Sequence, residues 1–157
     1  MGKTILLTVV IVSGLVLVIS CAAGQNNIPE DIRVDTLSSG NFEATFSIDP
    51  YVTSGGEIRL ALEVKNIGDE EDTIIFNSAQ MYDFWVIDAQ GQELWRWSAD
   101  QAFAQVIKEV PLSPGQGMGF AETYNATGLL PGVYTLYARV NSSQLEGELT
   151  QRLEIKG

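Results

Sequence analysis

Four carboxylates, Asp83, Asp88, Glu93 and Asp100, fall within one short stretch and are the residues best placed for acid–base chemistry. Such catalysis needs two of them in one cleft, with their proton affinities pushed apart by their surroundings. Nothing in their spacing brings two together, and with 20 Asp and Glu in 157 residues surface acids are abundant. The chain has no histidine, which removes Ser-His-Asp and Cys-His nucleophiles, histidine zinc sites and a pH switch near neutrality. The run Asp69-Glu70-Glu71-Asp72 invites a calcium reading. Calcium loops, however, space their ligands around a glycine bend, and four consecutive carboxylates cannot all converge on one ion. The run reads as a solvated hairpin loop. No catalytic residue, metal ligand or cofactor is expected, and the chain does not read as an enzyme.

The elements that must carry these residues centre on 82–97. Tyr82, Phe84 and Val86 alternate with Asp83, Trp85 and Ile87, the period of two that a strand requires. Asp88-Ala89-Gln90-Gly91 supplies a turn, and Glu93-Leu94-Trp95-Arg96-Trp97 returns, with both of its tryptophans on one face. This hairpin holds all three tryptophans. Phe84 and Val86 are assigned to the core. That leaves a second apolar face, which must be covered by a loop, by the 98–108 segment or by a partner. Trp85, Ile87, Trp95 and Trp97 are the candidate partner surface.

The same residues carry a resemblance. Tyr82-Asp83-Phe84, Val86, Asp88, the glycine turn and Glu93-Leu94-Trp95-Arg96-Trp97-Ser98 resemble the signature of the intracellular proteinase inhibitor (BsuPI) family. The match continues through Phe103-Ala104-Gln105, Leu112-Ser113-Pro114-Gly115, Phe120 and Pro131-Gly132-Val133-Tyr134-Thr135-Leu136. The resemblance implies a small β-sandwich of immunoglobulin-like shape and, for the family's namesake, inhibition of a serine proteinase. It implies no reactive site, because no motif position marks one.

The rest of the chain fits an all-β reading. Phe42, Ala44, Phe46 and Ile48 share one face of a strand over 41–49. Ile58, Leu60, Leu62 and Val64 alternate with Arg59, Glu63 and Lys65 in the next. Further strands are expected at 73–77, 105–112, 119–125, 134–140 and 147–156, with 100–104 as a loop or single turn. Eight or nine short strands separated by turn signals point to an antiparallel β-sandwich.

Ahead of it, Lys3 and the apolar run 5–19 end at Val18-Ile19-Ser20-Cys21, which reads as a secretory signal closing on a lipidation cysteine. A plain transmembrane anchor is the other reading, since 4–23 offers about the 20 apolar residues a bilayer needs. Either one puts the domain outside the cytoplasm. The expected organisation is a lipoprotein signal at 1–20, a polar tether at 21–40 and the sandwich at 41–157. With only Cys21, no intrachain disulfide can form. A net charge of −11 repels nucleic acid and favours a soluble monomer. The expected product is a membrane-tethered protein-binding module, with a serine proteinase or another envelope protein as partner. The rival expectation is an accessory envelope lipoprotein that inhibits nothing.

Overall fold

The computed structural model describes residues 34–48 and 56–155. Ten strands follow in order: β1 Val34–Ser39, β2 Phe42–Ile48, β3 Glu57–Asn66, β4 Asp72–Phe76, β5 Tyr82–Ile87, β6 Glu93–Arg96, β7 Lys108–Leu112, β8 Gly117–Asn125, β9 Gly132–Val140 and β10 Leu149–Ile155. They form two four-stranded sheets, β1-β2-β3-β8 and β10-β9-β5-β6, and a two-stranded ribbon of β4 and β7. Neighbouring strands pair antiparallel throughout. The all-β sandwich reading holds.

The core lies between the sheets. Phe42, Ala44, Phe46 and Ile48 of β2 and Ile58, Leu60, Leu62 and Val64 of β3 meet Phe84, Val86, Leu136 and Ala138 from the other sheet. Burying each of the larger aliphatics contributes roughly 1.5–3 kcal/mol before chain entropy is counted. Phe46 and Phe84 bridge the layers with ring centroids 5.8 Å apart. Gln151 adds a polar tie by donating to the Phe46 carbonyl at 3.2 Å. The ribbon contributes Ile74, Phe76 and Leu112 to the same core. Asn66 holds it there: its buried amide donates to the carbonyls of Glu70 and Leu112 at 2.8 and 2.7 Å. At the start of β9 the Tyr134 hydroxyl donates to the Leu130 carbonyl at 2.8 Å, closing its corner as a tyrosine corner does in immunoglobulin-like sandwiches.

Two expected boundaries move. Residues 34–39, expected in the polar tether, form edge strand β1 against β2, with Val34 opposite Ser47 and Ser39 opposite Phe42. Asp35 also accepts from the Thr150 amide at 2.7 Å, linking β1 to β10. Backbone pairing needs no apolar period, so the polar sequence hid this strand. The strand expected over 105–112 begins at Lys108, because its partner β4 ends at Phe76, the residue opposite Lys108.

Candidate functional site

β5 lies between β9 and β6, so both of its edges are hydrogen-bonded. Val86 stands opposite Trp95, and Trp85 opposite Arg96. Opposite residues of an antiparallel pair share a face. Trp95 therefore belongs with Phe84 and Val86 on the core side, and Arg96 belongs with Trp85 on the outer side. A register irregularity between Val86 and Ile87 accompanies the turn, where Gly91 takes φ +83°.

The candidate surface Trp85, Ile87, Trp95 and Trp97 is thus split between two faces. Trp85 is only 4% exposed. Its ring lies nearly parallel to Tyr137 of β9 at 5.0 Å, with the Arg96 and Arg139 guanidinium carbons 4.5 and 5.6 Å from its centroid. The cover on Trp85 comes from the sheet's own side chains, through stacking and cation–π contact. Ile87 is half-buried at the turn end of β5. Trp95 and Trp97 are partly buried against the core. Trp97 stacks on Tyr82 at 4.2 Å, Tyr82 stacks on Phe120 at 4.4 Å, and Phe103 meets Trp97 at 5.5 Å. Trp95 meets Tyr124 at 5.1 Å. These rings close the open side of the sandwich between edge strands β8 and β6. The Phe103 contact gives the 98–108 segment part of the covering role considered for it, but over Trp97 and not over Trp85.

The carboxylates of the hairpin serve the fold. Asp83, 2% exposed, accepts from Arg96 Nη1 at 2.8 Å, Ser98 Oγ at 2.8 Å, the Ser98 amide at 3.3 Å and its neighbour Phe84's amide at 3.0 Å. Glu93 grips the same Arg96 at 2.6 Å. The hydrogen bonds from Arg96 lower the Glu93 pKa. Asp88 accepts from the amides of Gln90 and Gln92, closing the turn. Asp100 is exposed. Sequence reasoning missed the Asp83–Arg96–Ser98 cluster, although all three residues sit in the signature motif. They hold the two hairpin strands together and keep Arg96 over Trp85. In the acidic run, Asp72 accepts from Asn41 at 3.0 Å and Glu71 from Ser113 at 3.4 Å. No group of three His, Cys, Asp or Glu among the described residues is arranged to hold a metal ion. Cys21, the expected lipidation site, lies outside the described residues.

Tyr82 also donates to Glu122 Oε1 at 2.6 Å. Burial, and then the Glu122 hydrogen bond and charge, raise its pKa well above the phenol value. A phenol that keeps its proton longer in the folded state stabilises fully below the unfolded pKa near 10. That contribution is lost as pH climbs from there towards the folded value. Wild type should therefore lose Tm steeply from about pH 10 to pH 12, and Tyr82→Phe should lose less over the same interval. Equal slopes in the two proteins would rule out the Tyr82 phenol as the cause.

Comparison with solved structures returns distant likenesses. A β-glucosidase from Listeria innocua in complex with isofagomine is 13% identical, with TM-score 0.44, over 74% of this chain and 16% of that one. The CARDB domain of a Pyrococcus furiosus protein in complex with di-metal ions is 15% identical, with TM-score 0.43, over 77% and 92%. The alkylpurine DNA glycosylase AlkC of Pseudomonas fluorescens, bound to DNA, is 11% identical, with TM-score 0.42, over 74% and 31%. This chain thus spans only a small part of the glucosidase, and at these scores the likenesses carry no argument about it. Comparison with curated protein sequences gives no match. One family profile does match: Intracellular proteinase inhibitor, BsuPI, over residues 44–145, from β2 to just short of β10. That span is well over half of the chain and includes the whole Asp83–Arg96–Ser98 hairpin. The chain belongs to the BsuPI family of intracellular proteinase inhibitors.

Proposed function

We propose that this chain is a membrane-tethered, extracytoplasmic module that inhibits a serine proteinase. The family match over the sandwich carries the inhibitory part of this reading, since the family is one of proteinase inhibitors and not of enzymes. A pre-ordered β-sandwich suits such work, because a loop held between rigid strands loses little entropy when it enters a cleft. The tether rests on a separate observation, the apolar run ending at Ser20-Cys21. On this reading the word "intracellular" in the family name does not extend to this chain. Lipid on Cys21 would hold the domain on the outer side of a membrane, and Cys21→Ser should leave an unlipidated precursor by mass spectrometry.

The inhibitory reading is tested with the lipid-free domain titrated against a panel of subtilisin-like serine proteinases. Residual activity should fall linearly to a stoichiometric end point for at least one of them. Slow digestion of the domain with no inhibition across the panel would leave an accessory envelope role in its place.

A further inference from the structure

Between β6 and β7 the chain takes a course unlike any other loop among the described residues. After the turn at 97–100, residues 101–107 run without a turn, a bend or strand pairing. Among the described residues, the one backbone bond that ties 102–107 to its surroundings is Ala79 N to the Ala104 carbonyl, 2.9 Å. The segment is fixed at both ends. The Phe103 ring rests on Trp97, and Lys108 enters the β4–β7 ribbon opposite Phe76.

Between those anchors, Val106 is 46% exposed and Ile107 is 67% exposed. Successive side chains of an extended chain point to opposite sides. Two adjacent apolar residues that are both exposed therefore mean that the segment stands clear of the body on both sides. Their branched side chains have few χ1 choices and favour an extended backbone. The result is a stiff, extended, largely apolar segment outside the sheets, held at the Ala104 carbonyl and anchored by an aromatic contact on one side and a ribbon on the other.

An extended peptide of this kind is recognised by adding it as a strand to an edge, with its alternate side chains entering pockets. We propose that residues 102–107 are the segment that enters the proteinase cleft, pairing through its backbone while Ile107, more exposed than Val106, fills an apolar subsite. This rests on the inhibitory reading above and specifies the surface that performs it. Ile67 and Leu130 are also exposed apolar residues on loops, at 47% and 75%. Ile67 is tied down by its amide, which bonds the Asn41 carbonyl at 2.7 Å. Leu130 is the more exposed of the two. Its loop is folded back instead of extended: Gly128 has φ +90°, the Leu129 amide bonds the Ala126 carbonyl, and the Tyr134 hydroxyl occupies the Leu130 carbonyl.

The test compares wild type, Ile107→Glu and Leu130→Glu in the same titration against the proteinase that wild type inhibits, with Tm measured for each. Both variants change exposed side chains and should fold as wild type does. Ile107→Glu should weaken inhibition about 100-fold, as removal of a central interface residue does, while Leu130→Glu inhibits normally. Unchanged inhibition by Ile107→Glu, or a loss confined to Leu130→Glu, overturns the assignment of 102–107 and leaves the inhibitory reading standing. Absence of inhibition by wild type itself overturns that reading, and the assignment with it.

Discussion

Phe84→Ala should lower the unfolding free energy by about 3–5 kcal/mol, the usual penalty for emptying an aromatic site in a packed core. Phe84 is fully buried, with Phe46 of the facing sheet 5.8 Å away and Tyr82 5.5 Å away on its own strand. Alanine there removes contacts from both layers at once. A domain of this size has roughly 5–15 kcal/mol of stability to lose. Urea unfolding followed by tryptophan fluorescence measures the change. A loss below about 1 kcal/mol would mean that the facing sheets do not meet at Phe84.

Arg96→Ala should cost about 3 kcal/mol, the lower end of what stripping one partner from a buried ion pair costs. It leaves the Asp83 carboxylate 2% exposed, with only Ser98 and two backbone amides to hold its charge, and it uncovers Trp85. Asp83→Asn should cost less, about 1–2 kcal/mol. Removing the buried charge leaves no ion stranded, because Arg96 is partly exposed and keeps Glu93. The order of the two variants is the informative part. If Asp83→Asn proved the more damaging, Arg96 and not Asp83 would be the group that depends on the pair.

The legible parts of the fold were those with a strict period. In β3 the row Ile58, Leu60, Leu62, Val64 is buried, and Arg59, Glu63 and Lys65 are exposed, as their alternation requires. Phe84 and Val86 fall on the core side of β5 for the same reason. Periodicity places Trp95 and Trp97 together but does not say on which side of the sheet, because that depends on the register between two strands. Only the pairing of Val86 with Trp95 decides it. Asp83 was hidden by its type: an acid in a chain rich in acids reads as surface until Arg96 and Ser98 are seen to converge on it. β1 was hidden because its alternation is mostly polar, with Leu37 its partner in the core. Val106 and Ile107 were misplaced in a strand because their β propensity is real while a pairing partner is lacking. That mismatch between propensity and pairing leaves the segment outside the sheets.

On the proposed reading, the domain acts by occupying a proteinase cleft. The most direct measurement is complex formation, by size-exclusion chromatography, with one sensitive serine proteinase in two states: free, and with its cleft already sealed by a covalent serine-directed inhibitor. The domain should co-elute in a one-to-one complex with the free enzyme and elute alone beside the sealed one. Co-elution with both would place the contact away from the cleft and overturn that reading.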